Sequence, residues 1–407
     1  MVEAVDRDVR SLVVATDYPS PDDVYRRGFI HTRVKYYRAS GRDVRVFVVS
    51  WQSDGVVSYE HEGVPVTVGN EQALRRLIRD TGVTRLLIHN LTPRIADVMR
   101  EVADQASAVV WFHGHGAEAW HRRWYNHIGD AKTLEKWLSG RHEETARVRE
   151  LTAQVFADES LSLEAVFVSR WFRDHVFGPD MGFLPHRSHI IHNMIDCDHY
   201  AYRPKSPQDR LRILLLRPFT SRTYGNDLAV EAILRLRNRP WFDELSFTLA
   251  GDGPLWDEVT AEISGLPNVK LRRGFVRQAE IPALHAAHGV FLVPSRKDSQ
   301  GVSRDEAMSS GLVPVSNAVD AVPEFVSDGK DGLLAPVDSV AGIANAIERL
   351  HESPDEFLAM SEAAARRVRR QSAQNIVGPA ELSVIEGTAD ALKSEGIAKG
   401  RGDQRNG

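Results

Sequence analysis

Short runs of apolar, β-branched residues alternate with longer stretches of helical periodicity along almost the whole chain. Such alternation is typical of parallel sheets that are covered by helices on both faces. Strands buried on both faces are continuously apolar, and ten runs fit this description. We therefore predict strands over residues 11–16, 44–50, 85–90, 108–113 and 165–169, and over 212–217, 246–251, 269–274, 290–294 and 313–316.

The alternation is interrupted once, by a stretch rich in proline and charge between residues 200 and 209. We interpret 201–209 as a linker between an N-terminal domain, 1–200, and a C-terminal domain, 210–375. The predicted fold class is α/β, with two doubly wound, Rossmann-like domains that face each other across a cleft. A helix over 376–392 is expected to cross back to the first domain, and the polar tail 393–407 is expected to be disordered.

Composition and charge exclude several classes of protein. The 407 residues carry 51 basic and 56 acidic side chains, a net charge of −5, without the basic excess of a nucleic-acid-binding protein. The single cysteine, Cys197, excludes an intramolecular disulfide and suits a reducing compartment. The first residues lack the apolar core of a secretory signal, and no run approaches the roughly 18 apolar residues that cross a bilayer. These observations predict a cytoplasmic protein.

Basic and aromatic residues cluster in the first helical stretch. One interpretation is peripheral contact with the inner face of an anionic membrane, and the other is an ordinary solvated helix face. The cluster comprises Arg26, Arg27, Phe29, Arg33, Lys35, Tyr36, Tyr37 and Arg38.

The segment 293–326 carries the strongest signal for a binding site. A strand ends at Pro294, a polar loop follows, and a helix begins near Ser303. The backbone N–H groups around Gly301 and the positive end of the helix dipole form an anion site that suits a diphosphate. Asp298 and Glu306 lie eight residues apart, so both carboxylates can face the same ligand.

Each of these acidic residues also has a simpler interpretation. Ser303 and Glu306 fit the S-x-x-E capping box that closes a helix N-terminus. Asp298 would by default be a solvated loop carboxylate.

Two further turns of the second half carry candidate ligand-binding residues. Arg217 and Arg222 flank a strand-to-helix turn, where two guanidiniums can neutralise a diphosphate without a metal. Gly251 and Gly253 form a turn at which the backbone can approach a ligand closely. The alternatives are surface charge for the arginines and an ordinary tight turn for the glycines.

Together these residues resemble the retaining family 4 glycosyltransferases of GT-B fold, mainly over 211–350. The family's pair of acidic residues falls on Asp298 and Glu306, and its arginine and lysine pair falls on Arg217 and Arg222. Its GxGP turn matches residues 251–254, and its proline-glutamate pair matches Pro323 and Glu324.

The resemblance implies a role for each matched residue. Glu306 would hold the nucleotide ribose and Asp298 the hydroxyls of the donor sugar. Backbone groups of Gly274, Phe275 and Val276 would receive the base. Amides of Gln300, Gly301, Val302 and Ser303 would receive the diphosphate.

In the first half, the resemblance is weaker. His113, at a predicted strand end, matches a histidine near the transferred sugar, although a lone histidine is more often structural. Gly28 matches a loop that closes over the donor phosphates, but the family's double glycine is absent. Asp298 stands where glutamate is usual and Arg222 where lysine is common, which leaves the identity of the donor sugar open.

We therefore expect transfer of a sugar from a nucleotide diphosphate donor to an acceptor hydroxyl, with retention of configuration implied by the resemblance. No cofactor and no metal is expected, because arginines and a helix dipole supply the positive charge. The expected partners are the donor and a glycan, lipid-linked or small-molecule acceptor, as in polysaccharide or glycoconjugate synthesis. Two alternatives remain: a non-catalytic subunit that binds a nucleotide-sugar, and another enzyme with two Rossmann domains.

Overall fold

The computed structural model describes residues 11–20, 27–50, 55–114, 118–127 and 131–387. The expected disordered tail 393–407 and Arg26 of the basic cluster lie outside these residues. Two separate sheets form, one in each half of the chain.

The first sheet has eight strands in the order β3-β4-β2-β1-β5-β6-β7-β8. All neighbours pair in parallel except β3 and β4, which form an antiparallel hairpin at one edge. The strands are β1 (Ser11–Ala15), β2 (Val44–Val49), β3 (Val57–His61), β4 (Val64–Gly69), β5 (Arg85–Ile88), β6 (Ser107–Phe112), β7 (Leu163–Phe167) and β8 (Ser188–Ile190).

The second sheet has six parallel strands in the order β11-β10-β9-β12-β13-β14. The strands are β9 (Arg212–Leu216), β10 (Ser246–Gly251), β11 (Val269–Arg273), β12 (Val290–Val293), β13 (Val313–Asn317) and β14 (Leu333–Ala335).

Helices cover both sheets. They are α1 (Gly28–Ala39), α2 (Glu71–Thr81), α3 (Pro93–Glu101), α4 (Ala131–Ala157), α5 (Gly178–Met181), α6 (Asn226–Leu236), α7 (Trp256–Thr260), α8 (Ile281–Ala287), α9 (Val302–Ser309), α10 (Val322–Phe325), α11 (Val340–Glu352), α12 (Pro354–Gln371) and α13 (Gln374–Ile385).

Counted along the second domain, the strand order is 3-2-1-4-5-6, that of a Rossmann fold. The first domain repeats this order and adds β3 at one edge and β8 at the other. The order reverses between β1 and β5 in one sheet and between β9 and β12 in the other. The predicted α/β class with two doubly wound domains is confirmed.

All ten predicted strands are present, and nine of them fill the cores with continuous apolar runs. The tenth, β11, is a half-exposed edge strand whose sequence is partly basic. Four strands were missed: β3, β4, β8 and β14. β3 is mostly exposed and β4 contains an exposed proline, so neither has the continuously apolar sequence of a central strand. β8 and β14 are only three residues long.

The last described helix packs against the first domain. The Glu381 carboxylate of α13 accepts hydrogen bonds from Arg33 Nε at 2.7 Å and from the Tyr37 hydroxyl at 2.5 Å, both on α1. The Val384 carbonyl of α13 accepts a further bond from Arg85 of β5 at 2.6 Å. The C-terminal end of the described chain therefore completes the N-terminal domain.

The same contacts change the interpretation of the basic cluster on α1. The Arg33 side chain is fully buried against Glu381, Lys35 binds Glu62, and Arg38 donates to the Val44 carbonyl. Arg33 therefore cannot contribute to a membrane-facing surface. Within the described residues, no helix has both the length and the apolar character needed to span a bilayer.

Candidate functional site

A cleft of about 1120 Å³ opens between the two domains. Its walls come from the carboxyl ends of strands in both sheets, where open α/β sheets bind ligands. Residues from α1 and the end of β6 line one side, and residues from the loops after β9 and β12 line the other.

The N-terminus of α9 lies in this cleft. Gly301, Val302 and Ser303 are all among its lining residues. Gly301 has a φ of 97°, and no side chain caps the helix. A Cβ at this position would lie 2.6 Å from the Arg304 guanidinium, so glycine suits both the backbone conformation and the space. The first turn of α9 thus presents an N-terminus without a side-chain cap to the cleft.

The capping-box interpretation of Ser303 and Glu306 is wrong. The helix begins at Val302, so Ser303 lies inside it rather than before it. The Ser303 hydroxyl accepts a hydrogen bond from Arg217 Nη1 at 2.6 Å. Glu306 therefore has no capping role to explain its position.

Arg217 follows β9, and its side chain is buried beneath the cleft. Its guanidinium donates to the hydroxyls of Ser303 and Ser295 and lies over the Tyr224 ring. Among the described residues, the only carboxylate within 4.0 Å belongs to Asp298, at 3.9 Å. Arg217 Nε has no hydrogen-bond partner in the described part of the chain. Burial lowers the pKa of this guanidinium, but an arginine in a protein stays protonated.

A buried cation with neutral partners and one distant carboxylate is incompletely compensated. Because Arg217 also lines the cleft, an anion bound there would supply the missing charge. This is the clearest sign of an anion site within the described part of the chain.

Arg222 lies elsewhere. Its guanidinium binds Glu258 at 2.7 Å and Asp227 at 3.4 Å, and it is not among the residues that line the cleft. It begins a short 3₁₀ turn, Arg222–Tyr224, that Ser221 caps. In this conformation the two arginines of the predicted pair are not brought together.

Gly251 and Gly253 lie behind the residues that line the cleft. Both have positive φ, at 150° and 149°. A Cβ on Gly251 would lie 1.9 Å from the Arg217 carbonyl oxygen, and one on Gly253 would lie 2.3 Å from the Phe219 carbonyl carbon. The close approach that these glycines permit is therefore to the loop that carries Arg217.

Asp298 lines the cleft beside a buried lysine that the sequence analysis missed. The Lys297 ammonium lies 3.0 Å from Glu118 of the first domain and 3.5 Å from Asp320 of the second. The ammonium also lies 5.7 Å from the centre of the Trp171 ring. Burial raises the pKa of Asp320. Lys297 lies in the loop after β12, and that position is the only sequence signal that could have revealed it.

Glu306 lines the cleft, where its carboxyl group lies near the Tyr200 hydroxyl. Gln278 donates to the same hydroxyl at 3.4 Å. Burial raises the pKa of Glu306 to about 8. The carboxyl group is therefore largely protonated at neutral pH before a ligand binds.

Gly274, Phe275 and Val276, the residues expected to receive the base, do not line the cleft. Phe275 is 53% exposed and Val276 is buried in the core. Gln278, Ala279 and Ile281 form that wall instead.

Gln300 joins the two domains. Its side-chain oxygen accepts from the Asn193 amide at 2.5 Å, and its side-chain nitrogen donates to the Asn193 carbonyl at 3.1 Å. Its backbone N–H donates to Asp298 Oδ1 at 3.2 Å. Both groups of Gln300 are thus engaged within the protein, so Gly301, Val302 and Ser303 are the expected anion-binding residues that remain at the cleft.

Glu324 forms a second connection between the domains. Its carboxylate accepts the backbone N–H groups of Arg170 and Trp171 at 3.0 and 2.9 Å. The matched proline-glutamate pair therefore fixes α10 to the first domain.

His113 follows β6 and lines the cleft from the first domain. Its ring stacks on His89, with 2.9 Å between His113 Nε2 and His89 Nδ1, and contacts Phe29. Burial holds the pKa of both imidazoles well below the usual value, so both rings are neutral. The His113 carbonyl accepts from the Ser299 hydroxyl at 2.6 Å, which links β6 to the loop after β12.

Gly28 begins α1 and also lines the cleft. A Cβ there would meet nothing within 4 Å. The protein alone therefore gives no steric reason for glycine at this position.

Residues 210–353 match the sequence model of a family described as "Glycosyl transferases group 1". The match covers β9 to α11 and includes Arg217, Asp298 and Glu306. The suspected resemblance is thereby confirmed at the level of the group.

Two curated relatives match this chain over segments about as long as the family match. The chain is 29% identical over 143 residues to an alpha-D-kanosaminyltransferase of Streptomyces kanamyceticus, 35% of this chain and 36% of that protein. It is 28% identical over 156 residues to a GDP-mannose-dependent alpha-(1-6)-phosphatidylinositol monomannoside mannosyltransferase of Mycobacterium tuberculosis, 36% of this chain and 40% of that protein. The chain thus covers little more than a third of these relatives' lengths.

Solved structures share the whole architecture. Sucrose-phosphate synthase from Thermosynechococcus elongatus superposes with a TM-score of 0.72 at 14% identity, over 94% of this chain and all of that chain. HepE from Anabaena, in complex with UDP and glucose, superposes with a TM-score of 0.67 at 14% identity, over 92% of this chain and 99% of that chain. The fold is therefore GT-B in both domains.

Proposed function

We propose that this protein is a retaining glycosyltransferase that moves a sugar from a nucleotide diphosphate donor to an acceptor hydroxyl. The observation that carries the proposal is the incompletely compensated Arg217 guanidinium beside the uncapped N-terminus of α9. Two positive groups that are fixed before the ligand arrives suit a leaving diphosphate, whose charge grows in the transition state.

The donor would lie along the second domain. Its diphosphate would contact Arg217, the α9 amides and the Ser303 hydroxyl. Its ribose would bind Glu306, and its sugar would face Asp298. The base would lie against the wall of Gln278, Ala279 and Ile281. Uridine and guanosine diphosphate sugars are the first donors to test. HepE was solved in complex with UDP, and the mycobacterial relative is described as GDP-mannose-dependent.

Arg222 has a conditional place in this proposal. It would reach the diphosphate only after it exchanges Glu258 and Asp227 for the ligand. Its side chain is 28% exposed, so breaking these ion pairs costs about 1 kcal/mol or less.

The acceptor would enter from the first domain, near His113 and α1. A neutral imidazole can hydrogen-bond a sugar or acceptor hydroxyl without attracting the diphosphate. Glycan, lipid-linked and small-molecule acceptors remain candidates, as does contact with the inner face of a membrane through surfaces other than Arg33.

Binding in the presence of a chelator tests the central claim. Calorimetry with UDP, GDP and their sugars in EDTA should give a measurable affinity for one nucleotide, because arginine and the helix N-terminus supply the charge. A transfer assay with that donor, followed by NMR of the product anomer, should show retention.

Binding that disappears in EDTA and returns with Mg²⁺ or Mn²⁺ would overturn the metal-free site. Nucleotide binding without either transfer or donor hydrolysis, over a panel of glycan, lipid-linked and small-molecule acceptors, would favour the non-catalytic alternative.

A further inference from the structure

The β3–β4 hairpin places two chemically active side chains over α1. Glu62 and Gly63 form its two-residue loop, and both have positive φ, at 46° and 79°. This is the geometry of a type I′ turn, which joins antiparallel strands tightly. The hairpin tip thereby brings His61 and Glu62 next to His31 of α1.

These three side chains converge on one point. Their ligand atoms all lie within 4.8 Å of one another. His31 Nε2 is 3.3 Å from Glu62 Oε2, and the His31 and His61 rings are 4.7 Å apart at a steep angle. No other group of three or more such ligands is found among the described residues.

His31 is held in place by a residue behind it. Its Nδ1 is hydrogen-bonded to the Tyr18 hydroxyl at 2.8 Å, and both side chains are buried. This bond fixes the ring orientation and leaves Nε2 pointing to Glu62. Histidine ligands of metals are usually oriented in this way, through a hydrogen bond from the ring nitrogen that does not bind the metal.

We propose that His31, His61 and Glu62 bind a divalent transition metal of the Zn²⁺ type. Two imidazoles and one carboxylate are a three-ligand set typical of zinc sites that keep a further position open. His31 and Glu62 both line the cleft, so the open position would face the acceptor side. The proposal does not depend on sugar transfer, and the site is separate from the diphosphate site on the second domain.

Lys35 competes with the metal for Glu62. Its ammonium lies 2.8 Å from Glu62 Oε2, and its side chain is 51% exposed. The ammonium can therefore swing into water when a metal takes the carboxylate. This competition predicts that removing the Lys35 charge tightens metal binding. Nonspecific metal binding by a surface histidine would not respond to this substitution.

The test uses the full chain, stripped of metal and titrated with Zn²⁺ against a chromophoric chelator. We expect one equivalent to bind. His61→Gln and Glu62→Gln should each weaken it tenfold or more, since even the loss of a supporting residue behind a ligand typically costs ten- to a hundredfold. Lys35→Met should tighten binding. Co²⁺ should give the visible absorption of a four- or five-coordinate site, which His61→Gln abolishes.

His186→Gln, at an exposed histidine, is the control and should leave the affinity unchanged. Circular dichroism of each variant checks that it is folded, and Glu62→Gln, at an exposed side chain, remains informative if His61→Gln is not. No stoichiometric binding, or binding that both ligand substitutions leave unchanged, overturns the proposal.

Discussion

The two domains share a strand order but differ in the side chains that their loops carry to the cleft. In the second domain, Arg217 follows β9, and Lys297 and Asp298 lie in the loop after β12. In the first domain, His113 follows β6 and lines the cleft, with His89 after β5 stacked on it, and burial keeps both rings neutral. At the ends of these strands the second domain thus presents fixed charge and the first a neutral imidazole, although Lys35, Glu62 and Arg123 also line the cleft from the first domain. This difference suits a substrate pair with one charged part and one part rich in hydroxyls.

Arg217→Met gives the largest expected effect. Turnover should fall about a hundred- to a thousandfold, because one fixed donor to growing negative charge is lost. Stability should stay the same or rise, since an incompletely compensated buried cation is replaced by an apolar side chain of similar volume. Steady-state kinetics and thermal unfolding measure the two quantities.

Arg304→Met is the matched control for a buried arginine. Arg304 forms a buried ion pair with Asp305 at 2.7 Å, so its removal leaves a buried carboxylate without its partner and should cost stability, by about 3–5 kcal/mol. Arg222→Ala should cost less turnover than Arg217→Met, about tenfold, with little change in stability because its ion pairs are partly exposed. Equal stability loss at Arg217 and Arg304 would contradict the assignment of Arg217 to a ligand.

Glu306→Gln tests whether the second domain binds the nucleotide through the Glu306 carboxyl group. Because the pKa of Glu306 is raised to about 8 in the ligand-free protein, affinity is compared near pH 8.5, where the carboxyl group is mostly ionised. There a hydrogen bond between the carboxylate and a ribose hydroxyl is worth about 1.5–3 kcal/mol, so nucleotide affinity should fall roughly tenfold or more. Calorimetry with the nucleoside diphosphate measures this change. An unchanged affinity would remove Glu306 from the binding site.

The same variant has a distinct signature in stability. Since the folded-state pKa of Glu306 is raised to about 8 from 4.5, the protonated group stabilises the fold fully below pH 4.5. That contribution is lost as the pH rises through 8. Glu306→Gln should therefore be neutral near pH 4.5 and stabilise the ligand-free protein near pH 8.5, by about 2–3 kcal/mol once water in the cleft is allowed for. Denaturant unfolding at both pH values checks the sign, and a variant destabilised equally at both would refute the raised pKa.

His113→Phe gives the smallest expected effect and tests the uncharged side. Turnover should fall roughly three- to tenfold, the worth of one neutral hydrogen bond of about 0.5–1.5 kcal/mol. Nucleotide affinity should not change, because the ring faces the other side of the cleft from Arg217. A large loss of nucleotide affinity in this variant would show that the division between the two domains is wrong.

The sequence was sufficient for the parts of the fold that depend on local pattern. Continuous apolar runs identified every central strand, and most residues of the segment from Asp298 to Glu306 line the cleft, although Gln300 does not. The hairpin was missed because β3 is mostly exposed and because its loop is Glu62–Gly63 rather than the Asn-Gly or Asp-Gly pair that marks a two-residue hairpin loop. The capping box failed because α9 begins at Val302, so Ser303 lies inside the helix, where its hydroxyl accepts a hydrogen bond from Arg217.

Other features depend on contacts that no local pattern encodes. Lys297 is significant only because Glu118 reaches it from the other domain. Gln300 faces Asn193, 107 residues away, rather than the cleft. The turn at Gly251 and Gly253 was identified, but only the structure shows that the neighbouring backbone is the loop after β9. In each case the contacting residue is distant in sequence, so no local pattern could reveal the contact.

The helix α13 imposes an order on synthesis. Arg33 of the first domain pairs with the Glu381 carboxylate, which lies 348 residues later in the sequence. Until residue 381 has left the ribosome, the buried Arg33 guanidinium of the first domain has no Glu381 carboxylate to pair with. The second domain has its whole sheet, β9 to β14, before α13 emerges. We expect the domain that is made second to mature first, with the nascent first domain kept open until the last helix closes it.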